Sequence, residues 1–156
     1  MKKTIVAASL LLAMSANLFA QDNKEEGYVF TPVKELKVTS VKNQNRTGTC
    51  WCFSTLSFLE SELIRMGKGE QDLSEMFVVS QCYKDKADKY VRLHGDLNFA
   101  QGGSFIDPLY VWKKYGIVPE EVMKGLNYGE DMHAHSEMES AAAAYLGAII
   151  KNPNRK

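Results

Sequence analysis

Apolar side chains recur every third or fourth position at Phe53, Leu56, Leu59, Leu63 and Met66, and Gly67 and Gly69 follow them. That period marks a helix with one apolar face and the glycines mark its stop, so a helix is predicted over 50–66. A second helix is predicted to start at Ser74, whose hydroxyl suits an N-cap, and to carry Met76, Phe77, Val78 and Val79 towards Cys82. The charged stretch 84–92 reads as a solvated face or a loop. After the break at Gln101, Gly102, Gly103 and Ser104, a third helix is predicted over 105–115, with Pro108 tolerated in its first turn and Gly116 at its end. An alanine-rich fourth is predicted over 136–150. Upstream of the first helix, the alternation in 36–41 reads as extended chain leading into a loop. With no internal repeat and little strand signal, the pattern describes a mainly helical lobe.

The first twenty residues differ in kind. Lys2 and Lys3 lead a largely apolar run over 5–14, followed by Ser15, Ala16, Asn17, Leu18, Phe19 and Ala20 and then polar Gln21 and Asp22. This is the pattern of a secretory signal peptide, residues 1–20, cut after Ala20. The run is shorter than the ~20 apolar residues a membrane span needs. The expectation is one lobe over 21–156, exported to the periplasm or beyond the cell, with no membrane attachment after cleavage.

Nineteen basic and nineteen acidic side chains cancel to a formal charge of zero, so no global field recruits nucleic acid or an anionic membrane. Export permits disulfides, but Cys50, Cys52 and Cys82 are odd in number, so at least one thiol stays free. No C-x-x-C pair is present, and His133 and His135 stand two apart, a spacing that diverges on a helix, so neither a metal nor any other cofactor is expected.

Chemistry concentrates at Cys50. A thiol attacks as thiolate, and a free cysteine with a pKa of ~8.5 is only slightly ionised at neutral pH. The predicted helix N-terminus supplies the partial positive charge that favours the thiolate. The segment Gln44-Asn45-Arg46-Thr47-Gly48-Thr49-Cys50-Trp51-Cys52-Phe53-Ser54 resembles the active-site segment of papain-like cysteine peptidases. The resemblance implies Cys50 as nucleophile and Gln44 as side-chain oxyanion donor, with the Cys50 N–H as second donor and Trp51, next to the nucleophile, as a substrate-binding residue. Gln101-Gly102-Gly103-Ser104-Phe105 resembles the groove-lining segment of the same family, which implies substrate main-chain contacts at Gly102 and Gly103; a plain loop before a helix is the alternative. Gly116-Ile117-Val118-Pro119-Glu120-Glu121 is similar to the bleomycin hydrolase and aminopeptidase C branch.

There are departures. Thr47 stands where the family commonly has a disulfide cysteine, so that bridge is absent. Cys52 reads as a small core residue, with a redox role beside Cys50 as the alternative, and Cys82 as a free buried thiol. The Asn45-Arg46-Thr47 sequon lies in the proposed oxyanion loop, where a glycan would block the groove. The family's histidine follows its cysteine by ~130–150 residues, and the 156-residue chain ends before that spacing is reached from Cys50. His94, His133 and His135 lack the family's flanking pattern and read as surface or structural residues. The expected fold is therefore the helical N-terminal lobe of the α+β papain-like architecture. The expected function is a secreted thiol peptidase, of aminopeptidase type by resemblance, acting on peptide substrates and incomplete without its histidine and asparagine. The alternative is a non-catalytic lobe that binds peptide.

Overall fold

The computed structural model describes residues 27–127 and 129–152. The expected signal peptide lies outside the described residues. Residues 27–35 belong to a unit separate from the rest of the chain, and in them the Tyr28 and Phe30 rings stand 6.3 Å apart. The body from Leu36 onward contains α1 (Cys50–Arg65), α2 (Glu75–Arg92), α3 (Ile106–Tyr115), a 3-10 turn (Glu120–Val122) and α4 (Ser136–Lys151).

Of the period read from the sequence, α1 buries Leu56 fully and Phe53, Leu59 and Leu63 in part, while Met66 beyond its end is exposed; Trp51 and Cys52, outside that period, are buried as well. Trp51, Cys52 and Leu56 meet Met76, Val78, Val79 and Cys82 of α2 and Val111 of α3 in one apolar core, edged by Leu59, Leu73, Phe77 and Ile117. The second helix is the hub, packing against α1, α3 and α4. Its start is the predicted one: Ser74 Oγ accepts from the Phe77 N–H at 3.0 Å and itself donates to the Met123 carbonyl at 2.6 Å.

The charged stretch 84–92 is the solvated-face alternative and not a loop: it forms the last turns of α2, with Lys84, Asp88, Lys89 and Arg92 exposed. Its own pattern does not announce this because its apolar partners come from elsewhere: Phe99 packs edge-on to Tyr83 at 5.7 Å and lies against Tyr90 at 6.0 Å. An exposed Asp88–Arg92 pair one turn apart adds little. Gly95, at φ 89, turns the chain out of the helix, and its N–H bonds back to the Tyr90 carbonyl. Gly116, at φ 84, ends α3 as expected.

The stretch from Leu36 is extended, but no strand forms among the described residues. Two isolated bridges take its place: Leu73 with Pro119, antiparallel, and Arg46 with Ala134, parallel. The structure thus presents the helical part of the α+β expectation and not a sheet. No helix among the described residues is long and apolar enough to cross a membrane.

A charged cluster fastens the extended stretch to the helices. Lys42 Nζ donates to Glu60 at 2.8 Å, to Glu75 at 2.9 Å and to the Leu73 carbonyl at 3.2 Å, and pairs with Asp72 at 2.6 Å. Glu60 is fully buried; its second oxygen accepts from Thr39 Oγ1 at 2.7 Å, and its first also accepts from the Leu73 N–H at 2.8 Å. Burial works against the charge on Lys42, but the bonds to Asp72, Glu60 and Glu75 outweigh it and raise its pKa. For Glu75 the balance runs the other way: desolvation raises its pKa despite Lys42.

Candidate active site at the start of the first helix

The turn that leads into α1 is built from short-range hydrogen bonds. Asn45 takes a left-handed backbone, φ 50, which asparagine tolerates, and its N–H donates to Asn43 Oδ1 at 2.9 Å. Gln44 Nε2 donates to the Thr47 carbonyl at 2.8 Å, and Thr47 Oγ1 donates to the Gln44 carbonyl at 2.9 Å, so this residue pair closes the turn twice. The amide of Gln44 keeps one further N–H for another acceptor.

Thr49 is in the N-cap position of α1, yet its side chain makes no capping bond and instead shares a short hydrogen bond with the Thr47 hydroxyl. The helix begins at Cys50 and Trp51, whose N–H groups lie at the first two helical positions and have no intrahelical acceptor. No acidic residue sits in that first turn. Cys50 is exposed, whereas Cys52 and Cys82 are buried, and all three thiols are free. Burial pushes the Cys82 thiol up to about 11 and raises Cys52 as well. Cys52 is an inert core residue, with Sγ 3.6 Å from the Glu75 carbonyl. An uncapped helix end with an exposed thiol on its first residue is a place where a negative charge at sulfur, or at an oxygen beside it, meets unpaired donors.

Trp51 is 8% exposed and serves as a floor more than as a surface. Its indole Nε1 donates to the Gln101 carbonyl at 3.0 Å, and Gly103 lies so close that a Cβ there would stand 2.6 Å from the ring. This explains the second glycine of the Gly102-Gly103 pair: only a residue without a side chain can cross the indole face. Gly102 is exposed, with open space where its Cβ would be. Lys86 of α2 bonds the carbonyls of Ala100, at 3.2 Å, and Gly102, holding the segment from its far side.

Two supports of the turn have no local sequence signature. The Arg46 N–H donates to the His133 carbonyl at 3.1 Å, and the His135 N–H donates to the Arg46 carbonyl at 3.3 Å. The two histidines therefore meet the turn through their backbones. Their Nδ1 atoms are buried without a hydrogen-bond partner, and desolvation lowers both pKa values, further in His135 through the neighbouring His133. The other support is Gln101, whose Oε1 accepts the Gly48 N–H at 2.7 Å. A cleft of about 540 Å³ between α2 and α3, lined by Cys82, Asp85, Lys86, Asp107, Tyr110 and Lys114, does not include Cys50. Among the described residues no group of three or more His, Cys, Asp or Glu side chains is arranged to hold a metal ion.

Residues 30–152 match the papain family cysteine proteases. Aminopeptidase G of Lactobacillus delbrueckii subsp. lactis is 30% identical over 111 aligned positions, covering 57% of this chain and 24% of that protein. Aminopeptidase E of Lactobacillus helveticus is 31% identical over 111 positions, with the same two coverages of 57% and 24%. The chain thus spans about a quarter of the length of these curated relatives. Both relatives are aminopeptidases, in keeping with the branch that the segment around Pro119 resembles. With the match running through the Cys50 turn and all four helices, the chain belongs to the papain family of cysteine proteases.

Proposed function

We propose that this chain carries the nucleophile-bearing lobe of an exported thiol peptidase of aminopeptidase type, with Cys50 as its nucleophile. The observation that carries the reading is the open end of α1: an exposed thiol on the first helical residue, with no capping side chain and no acidic neighbour in the first turn. In the reaction the Cys50 thiolate adds to the carbonyl carbon of a bound peptide, and the carbonyl oxygen becomes an oxyanion. We assign the oxyanion to the Cys50 N–H and the remaining N–H of Gln44, a side chain already steadied by the Thr47 carbonyl. Collapse expels the amine, which leaves with a proton, and water then cleaves the thioester. The proton carrier must be an imidazole. His133 and His135 are poor candidates, since both bury Nδ1. We assign that role to a histidine outside this chain, with an asparagine to orient it, and the chain alone is then without turnover. Gly102 and Gly103 offer backbone groups to the substrate main chain, while Trp51 holds them in place. The aminopeptidase preference rests on the two relatives.

The competing reading is a lobe that binds peptide without cleaving it, favoured by the burial of the Nδ1 atoms of His133 and His135. Thiol reactivity tests the nucleophile directly. Under limiting iodoacetamide, peptide mapping should find Cys50 alkylated well before Cys52 and Cys82, whose thiols are buried. Preferential labelling of Cys82 would remove Cys50 from its role. Export makes a second expectation: the mature protein recovered from outside the cytoplasm should begin at Gln21. An intact Met1 terminus there would rule out cleavage.

A further inference from the structure

The backbone N–H and carbonyl of Gln101 and both ends of its side-chain amide each have a partner, and these lie in two directions. Towards the nucleophile turn, its Oε1 accepts from the Gly48 N–H at 2.7 Å and its backbone carbonyl accepts from Trp51 Nε1 at 3.0 Å. Towards α4, its backbone N–H donates to Glu139 Oε1 at 3.2 Å and its side-chain Nε2 donates to Glu139 Oε2. Gly48 lies close against the Gln101 side chain, since a Cβ on Gly48 would stand 3.0 Å from Gln101 Cβ. Glu139 is half-buried in the first turn of α4, and its own N–H is bonded to the His135 carbonyl. The same stretch of chain, 133–139, therefore holds the turn before Cys50 at Arg46 through backbone and at Gly48 through Gln101.

The chemistry of the two side chains makes this a directed relay. A primary amide has a donor end and an acceptor end, and nothing in its shape prefers one orientation. A carboxylate can only accept. Facing Glu139, the amide of Gln101 must present its NH₂, which leaves Oε1 as the end that meets the Gly48 N–H. Without the carboxylate only the Gly48 N–H still favours this orientation, and a reversed amide would set a donor against a donor at Gly48. We propose that Glu139 is a positioning residue for Cys50: by fixing the orientation of Gln101 it fixes the turn from Gly48 to Cys50. This rests on the assignment of Cys50 as nucleophile, although the relay itself can be tested apart from it.

The test uses the 156-residue chain and two readouts, the exchange rate of the Gly48 amide hydrogen and the rate of iodoacetamide reaction at Cys50. Glu139→Gln removes the acceptor-only group and lets the amide reverse. Gln101→Glu alone sets two carboxylates against each other. The double variant Gln101→Glu/Glu139→Gln exchanges the roles: residue 139 now supplies the NH₂, and residue 101 still offers an oxygen to Gly48. Each single variant should speed Gly48 exchange by about tenfold, the order expected for one charge-assisted hydrogen bond. The double should bring it back to within about twofold of the unmodified chain, by the same bond energies. The Cys50 reaction rate should change in the singles and return in the double, while the amides of Leu56 and Val78 in the core keep their protection throughout. Glu137→Ala, an exposed change in the same helical turn, should move neither readout. Unchanged Gly48 exchange in Glu139→Gln overturns the proposal. So does a loss of protection, local or general, that the double variant does not reverse. Should Cys50 fail to be the reactive thiol of the unmodified chain, the nucleophile assignment falls, and the Gly48 result still decides the relay.

Discussion

At the scale of single residues, the most consequential side chain outside the candidate site is Lys42. Among the described residues it is the one cation paired with Glu60 and Glu75, two buried carboxylates on facing helices. Removing one partner of such a pair leaves an uncompensated charge, an effect of about 3–5 kcal/mol and far more than an exposed pair is worth. Lys42→Met should therefore lower the urea midpoint steeply, and Glu62→Gln, which breaks the exposed Arg65 pair on α1, should barely change it. Equal small effects would show that the cluster is solvated and adds nothing. Glu120 sits beside this cluster with a buried, unpartnered Oε2. Desolvation, and then the charges of Glu75 and Asp72, push its pKa up to about 7 from an ordinary 4.5. The acid form is thus the one the fold prefers. The resulting stability is fully present below pH ~4.5, falls as pH rises towards 7, and is gone above it. Glu120 is partly open to solvent, so screening reduces the size of the effect without changing its sign. Glu120→Gln should flatten this slope and leave the variant more stable than the parent at pH 8, as read from melting temperatures across pH. A parent whose stability does not decline relative to Glu120→Gln between pH 5 and 7 would contradict the burial of that carboxylate.

At the scale of elements, what could be read in advance and what could not follow the range of the interactions. The helix starting at Cys50, the Ser74 cap and the stop at Gly116 depend on residues within a few positions of each other, and the sequence carries them. The start of α1 was legible because Gln44, Gly48, Cys50 and Trp51 form one contiguous pattern. The last turns of α2 were not, because the ring that makes a helix of 84–92 worthwhile is Phe99, beyond the turn at Gly95. Nor were the two bridges, Leu73 with Pro119 and Arg46 with Ala134, which join segments far apart along the chain. The same reason hid Gln101 and Glu139. A glutamine before two glycines has no local mark of a hub, and its role appears only once α4 is folded beside it. In this lobe local sequence specifies the helix starts and stops, while the last turns of α2 and the turn that presents Cys50 depend on contacts from other segments. The candidate site is accordingly less local than its signature implies.

At the scale of the whole chain, the surface is less well covered than the core. Phe58 and Phe105 meet edge to face at 6.2 Å while each remains about half exposed, and Ile106 and Trp112 are 64% and 50% exposed on α3. Leu36 and Val38 are also open, and together with Phe58 and Ile64 they line a cleft of about 620 Å³ on the outer side of α1. Apolar patches of this kind favour association. The formal net charge is zero and the isoelectric point is near 6.8, so no long-range repulsion opposes association at neutral pH. The 156-residue chain should therefore self-associate at micromolar concentration, and added salt should not dissolve the assemblies, because an apolar contact is not screened. Light scattering against concentration, at low and high ionic strength, measures this. Phe58→Ser/Ile106→Ser, which changes exposed side chains on α1 and α3 without touching the core, should scatter less and keep the helical circular dichroism of the parent. A parent chain that stays monomeric at high concentration, or assemblies that dissolve in salt, would assign the association to charge or exclude it, and the exposed faces of α1 and α3 would then be ordinary surface.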